Sequence, residues 1–219
     1  MDVPADPLPV TGASVGVDVG LKTFATLSTG EEIANPRPFV RAQKRLADAH
    51  RRVARRKKGS ARRRKAVELL GRQSDRVARA RRDFHHKEAL KLVRRFDTIK
   101  VEDLNILGLA AGMLAKHVLD AAWGLFFTIL ASKAESAGRE LHRVDPRGTS
   151  QECSRCGATA RKALVVRIHI CPECGLVLGR DHNAAINVEK RPGHGRRRRG
   201  EQWHVPLIPR SPSLTPSSA

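Results

Sequence analysis

The chain has 219 residues, with 42 Lys and Arg against 22 Asp and Glu and a net charge of +20, so it has room for one good core and a small appended module. So large a basic excess, unevenly spread, points to a polyanionic partner and favours nucleic acid over mere solubility. Tyrosine is absent and aromatics make up 4%, which excludes a phosphotyrosine intermediate such as a tyrosine recombinase forms and argues against gripping single strands mainly by base stacking.

Residues 1–13 read as an extension. Met1-Asp2-Val3-Pro4-Ala5-Asp6-Pro7 is acidic and proline-rich, where a secretory signal needs a positive and then an apolar stretch. The longest apolar run, 121–131, is far shorter than the ~20 residues that span a bilayer. A soluble, cytoplasmic chain with no membrane partner is expected. Ser14-Val15-Gly16-Val17-Asp18-Val19-Gly20 is a short apolar run of strand type. Its glycines allow close approach of another backbone or of a phosphate. With Thr23–Leu27 it forms the opening of a meander broken at Gly20 and Gly30.

From Pro38 the period changes. Phe39, Ala42, Leu46, Ala49 and Val53 follow helical spacing, Gly59-Ser60 interrupts it, and Val67, Leu70, Val77 and Phe84 resume it. Two antiparallel helices over about 38–97 are predicted, with a basic outer face. Between Arg41 and Lys65 there are 13 basic residues and one acid, Asp48. Arg51, Arg52, Arg55, Arg56, Lys57, Lys58, Arg62, Arg63, Arg64 and Lys65 are the candidate contacts to nucleic acid. A solvated charged face is the bland alternative.

Thr98-Ile99-Lys100-Val101-Glu102-Asp103 is a second strand ending in acids. A strand alternates sides, so only one of the two acids faces a given site. Glu102 is chosen, because Asp103 suits the turn Asp103-Leu104-Asn105. Leu114, Val118, Ala122, Leu125 and Ile129 mark one helix, with Trp123 a core residue rather than a stacking platform. Leu141–Val144 is a further strand, and Asp145, before Pro146, reads as a turn residue. His85 and His86 read as packing or surface groups, with no ligand spacing.

All four cysteines lie in one stretch. Cys153-Ser154-Arg155-Cys156 and Cys171-Pro172-Glu173-Cys174, each followed by a glycine, have the spacing of a zinc ribbon, expected over 150–178. Disulfides are disfavoured in an intracellular setting, and four sulfurs close the tetrahedron, so the Zn²⁺ is structural. Asp181 opens Asp181-His182-Asn183-Ala184-Ala185, a helix start, with the helix expected over 179–190. Residues 191–219, with Arg196–Arg199 and a Pro- and Ser-rich end, are expected to be a disordered basic tail.

An acid beside a glycine is usually a turn or capping group. Two strand ends and a helix start can nevertheless bring Asp18, Glu102 and Asp181 to one point. Hard cations such as Mg²⁺ or Mn²⁺ bind carboxylate oxygens and promote phosphodiester cleavage, so the three read as the catalytic, metal-binding acids of a nuclease. Gly16–Lys22, Val101–Asn105, Asp120–Gly124, Asp145–Cys153 and Arg180–Ala185 together resemble the OrfB/TnpB family, transposon-encoded transposases similar to type V CRISPR effectors. The likeness covers roughly 14–190. It implies an α/β fold of RNase H-like (RuvC-type) class, with a mixed sheet over 14–149, an inserted helical hairpin and a small zinc ribbon. It also implies an RNA-guided DNA endonuclease, with DNA as substrate and guide RNA as partner. The first catalytic strand begins at residue 14, so the chain resembles the nuclease half alone. Gly179 stands where the family often has another acid. A binding protein that does not cut, or an inactive transposon remnant, are the competing readings.

Overall fold

Alternation along β1 (Ser14–Val19) buries Val15 and Val17 on one side and turns Ser14, Gly16 and Asp18 to the other. The computed structural model describes residues 7–161, 163 and 165–196. β2 (Thr23–Leu27) pairs antiparallel with β1, and β3 (Glu32–Ala34) antiparallel with β2. β4 (Thr98–Glu102) runs parallel to β1, and β5 (Glu140–Val144) parallel to β4. β1 is six residues long and the other four are three to five, and they lie side by side in the order β3-β2-β1-β4-β5.

Between β3 and β4 the chain makes the helical hairpin. α1 (Pro38–Ala54) and α2 (Ala61–Arg95) meet through Ala42, Leu46, Ala49, Leu70 and Val77, a small cluster of their own. Gly59, at φ +80°, makes the turn, and the Ser60 hydroxyl caps α2 by accepting from the Arg63 N–H at 3.2 Å. The second half of α2 leaves that cluster and joins the main core through Ala89, Leu90, Leu92 and Val93.

α3 (Ile106–Ala111), α4 (Ala115–Ala121) and α5 (Trp123–Ser136) follow β4. The single helix expected through 114–129 is broken at Ala122, which sits at φ +50°. The last carbonyls of α4 are taken by side chains of α2: Arg81 Nε donates to Asp120 O at 2.8 Å, and His85 Nε2 to Ala121 O at 3.0 Å. The restart at Trp123 turns Trp123, Phe126, Phe127 and Leu130 into the core. Phe24 meets Phe84 and Phe126 edge-on, with ring centroids 4.9 and 5.1 Å apart. α2 and α5 thus cover one face of the sheet.

After β5 comes the cysteine ribbon, whose hairpin is β6 (Ile168–Ile170) paired with β7 (Val177–Gly179). α6 (Arg180–Lys190) then returns to cover the opposite face of the sheet. The chain next adds β8 (His194–Arg196) antiparallel to β5 at the sheet edge, completing six strands. The tail expected to be disordered from 191 therefore begins with ordered backbone, because the open edge of β5 offers it hydrogen bonds. Residues 197–219, including the rest of the arginine run, lie outside the described residues. No helix among the described residues is long and apolar enough to cross a membrane.

Candidate active site and cysteine ribbon

Val17 stands opposite Val101 in the parallel pair β1–β4, so Asp18 and Glu102 are the next positions along neighbouring strands. Both alternate to the side away from Val15, Val17, Ile99 and Val101, which is the side α6 covers. Lys100, two residues before Glu102, confirms that orientation for β4: its Nζ donates to Glu189 O at 2.7 Å and Arg191 O at 2.8 Å at the end of α6. Asp103 instead is exposed and lies 3.4 Å from Arg143 Nη1. Asp145 accepts from the Arg147 N–H at 3.0 Å, an Asx turn.

Gly16 lets α6 come this close. A Cβ there would stand 2.1 Å from Ala185 O and 2.5 Å from Glu189 N, so helix and strand meet backbone to backbone. Asp181, in the first turn of α6, consequently hangs over the end of β1. Glu102 and Asp181 are both close enough to act electrostatically on Asp18. The Asp18 carboxyl is held well above its ordinary value, first by burial, then by the charges of Glu102 and Asp181, with Arg180 opposing. Glu102 is 7% exposed, and burial raises its carboxyl too, against the Thr149 hydrogen bond and the Arg191 charge. Asp181 is engaged by arginines: Arg180 Nε lies 3.1 Å from Oδ1 and Arg167 Nη1 3.8 Å from Oδ2.

Two sets of residues around these acids carry no role in the sequence reading. Thr149 Oγ1 lies 2.6 Å from Glu102 Oε1. Asn183 and Asn187, buried on α6, tie that helix to the chain just before the first cysteine pair. Asn187 Nδ2 donates to Thr149 O and to Glu152 O, both at 2.8 Å, and Asn183 Nδ2 donates to Glu152 O at 2.7 Å. Asn183 Oδ1 accepts from the Ser154 N–H at 2.9 Å. The sequence signal was available in Asn183 and Asn187, four apart and so on one helical face.

The Sγ atoms of Cys153, Cys156, Cys171 and Cys174 all lie within 4.8 Å of one another, as no carboxylate group among the described residues does. Each pair sits on a tight knuckle, with Gly157 N–H donating to Cys153 O at 2.9 Å and Gly175 N–H to Cys171 O at 3.1 Å. Gly157 and Gly175 have φ of +78° and +68°, which favours glycine. Burial opposes ionisation of Cys153, but the N–H groups of Cys156 and Arg155, with hydrogen bonds from His169 and Cys171, lower its thiol to about 5. The Ala158 N–H favours a thiolate at Cys156, yet burial and its sulfur neighbours push that thiol up to about 12. Sulfurs that compete in this way for protons form a donor set that fits a soft divalent cation such as zinc.

The candidate nucleic-acid residues do not join the carboxylates. Arg51, Arg52, Arg55, Arg56, Lys57, Lys58, Arg62, Arg64 and Lys65 are exposed and Arg63 half-buried, around the tip of the hairpin. α1 is 17 residues long, about 25 Å at 1.5 Å per residue. Its other end is fixed to the core: Asp120 accepts from the N–H groups of Phe39 and Val40 at 2.9 and 3.1 Å, and Arg81 Nη2 lies 3.3 Å from the same carboxylate.

The sequence matches the OrfB IS605 family, described as "Probable transposase", over residues 1–112, and the Cas12f1-like TNB domain over residues 123–188. It is 43% identical over 185 residues to a Streptomyces pristinaespiralis protein named "Putative RNA-guided DNA endonuclease", covering 83% of this chain and 46% of that one. Against an Escherichia coli K12 protein with the same description, InsQ, identity is 29% over 199 residues, covering 83% and 50%. The chain thus spans about half the length of these curated relatives. Among solved structures it superposes on a Cas12f1–sgRNA–target DNA complex with a TM-score of 0.58 at 19% identity, covering 87% of this chain and 51% of that one. A CRISPR–Cas12f ternary complex gives a TM-score of 0.61 at 18% identity, covering 88% and 41%. These likenesses show that the fold is shared.

Proposed function

The chain belongs to the OrfB/TnpB transposase family, and we propose that it is the catalytic core of a metal-dependent, RNA-guided DNA endonuclease of a mobile element. The observation that supports this reading most directly is the register of Asp18 beside Glu102 at the ends of parallel strands, with Asp181 above them. Three carboxylates of which Asp18 feels the charges of the other two form a hard-oxygen donor set suited to Mg²⁺ or Mn²⁺. Asp18, Glu102 and Asp181 would hold such ions, whose chemistry would be to activate a water and neutralise the leaving oxygen of a phosphodiester.

The residues of the chain divide the remaining work. Asp18 and Glu102, on rigid strands, fix two ligand positions, and Asp181 brings the third from α6. Arg180 and Arg167 pair with Asp181, and a bound cation would compete with them for its oxygens. The hairpin tip binds phosphates without reading sequence. The cysteines would hold a structural Zn²⁺, which would close the ribbon that Asn183 and Asn187 tie to α6. Guide RNA and target DNA are the partners named for the relatives, and this core would act on a strand delivered by such a guide.

Purified protein assayed on single-stranded DNA with Mg²⁺ or Mn²⁺ tests the proposal. Cleavage should vanish on replacing Asp18, Glu102 or Asp181 singly with Ala, while DNA affinity stays near wild type. A single mutant with wild-type cleavage would remove that residue from the site. The second reading, nucleic-acid binding without cleavage, is favoured by one observation: Asp181 is engaged by arginines. DNA binding with no metal-dependent cleavage would support it.

A further inference from the structure

Resting on the nuclease reading above, we propose that Thr149 is a positioning residue, fixing the orientation of Glu102 and coupling it mechanically to the cysteine ribbon. Thr149 is 3% exposed, and its hydroxyl lies 2.6 Å from Glu102 Oε1 and 3.0 Å from Pro146 O. It has one proton to donate. The shorter contact is to a carboxylate, which outcompetes a neutral carbonyl. With Oε1 so engaged, the carboxylate cannot swing freely.

The backbone of Thr149 is held as firmly as its hydroxyl. Its carbonyl accepts from Asn187, which also holds Glu152 O, and Asn183 grips Glu152 O and Ser154 N–H on either side of Cys153. Asn183 is fully buried and Asn187 is 7% exposed. Lys190 Nζ adds a contact to Ser154 O at 2.6 Å. The stretch 149–154 therefore has Glu102 at one end and a ribbon sulfur at the other, and both are referred to the helix that carries Asp181. If Thr149 were only a packing group, valine, the same shape without the hydroxyl, would serve equally well.

The test compares Thr149→Val, Thr149→Ser and wild type as full chains. Mn²⁺ affinity is measured by electron paramagnetic resonance, counting the binding lost in Asp18→Ala, and kcat and KM for DNA cleavage are measured alongside. Partners of metal-binding groups are worth about 10–100-fold in metal affinity or activity. Thr149→Val should lose Mn²⁺ affinity and kcat in that range with KM for DNA unchanged, whereas Thr149→Ser should recover most of both. Zinc content and thermal midpoint report folding. Should Thr149→Val fail to fold, Thr149→Ala is set against Thr149→Ser in the same way. Wild-type affinity and kcat in a folded Val or Ala variant would overturn the proposal, as would a Ser variant no better than Val. A wild-type chain that binds Mn²⁺ at Asp18 without cleaving would overturn the nuclease reading alone, and the Mn²⁺ comparison would still decide Thr149. Absence of any Mn²⁺ binding that depends on Asp18 would overturn both.

Discussion

Gly16 and Ala185 meet backbone to backbone, with room for no side chain: a Cβ on Gly16 would lie 2.1 Å from the Ala185 carbonyl oxygen. Because β1 carries Asp18 and α6 carries Asp181, this contact sets the separation of two candidate ligands. Gly16→Ala should destabilise the chain by about 1–3 kcal/mol or more, the ordinary effect of overpacking. Cleavage should fall further than stability explains, since α6 must move. Denaturant unfolding together with cleavage rates at a temperature where the variant is folded checks this, and unchanged stability would contradict the contact.

Asp18 illustrates a conflict between folding and the proposed function. Its carboxyl is raised in the fold, so the native state holds the proton more tightly than the unfolded chain does. Stability contributed at this position is therefore lost as pH rises from the ordinary value of 3.8 through the raised value. Asp18→Asn should raise the thermal midpoint of metal-free protein at neutral pH while abolishing cleavage. A lower midpoint in that variant would show that Asp18 is a stabilising group.

The four cysteines should bind about one zinc per chain. Cys171→Ser should release it and loosen the ribbon. Because Asn183 and Asn187 hold the chain beside Cys153 against α6, cleavage should decline together with zinc content during chelation. Metal analysis alongside activity would reveal any zinc-free protein that cuts normally, an outcome incompatible with the coupling.

Binding to DNA should depend on salt and little on sequence. Each phosphate neutralised contributes a log–log slope of about −0.7 to −0.9. Replacing Arg62, Arg63 and Arg64 with Ala should weaken all DNA sequences together and flatten that slope. Affinities that strongly favour one short motif, with no RNA present, would reveal base readout in this chain.

His85 predicts an acid sensitivity unrelated to the three carboxylates. It is buried among Phe24, Phe84 and Phe126. Burial, opposed by its bond to Ala121 O and reinforced by Arg81 and His86, lowers its pKa from 6.5 to about 4. The unfolded chain takes up the proton first, so stability is full above 6.5 and falls as pH drops towards 4. At about 1.4 kcal/mol per pH unit the loss approaches roughly 3 kcal/mol. His85→Gln, which keeps a donor for Ala121 O, should flatten the stability profile between those pH values; an unchanged profile would assign the acid sensitivity elsewhere.

The sequence by itself determined the elements with strong local signatures: strands around Asp18 and Glu102, the hairpin broken at Gly59-Ser60, the cysteine knuckles, and the helix opening near Asp181. In each, periodicity, turn glycines or ligand spacing act within a few residues. The tertiary structure alone decided what depends on distant partners. Ala122 breaks a helix of continuous apolar spacing because Arg81 and His85, about 40 residues earlier, take the carbonyls of Asp120 and Ala121. His194–Arg196 is ordered because β5 presents an open edge. Thr149 reaches Glu102 across 47 residues of sequence, and the Asp181 carboxylate rests on Arg180 and Arg167. Hydrophobic period and turn chemistry are written locally, whereas hydrogen bonds between side chains far apart in sequence exist only once packing has brought them together.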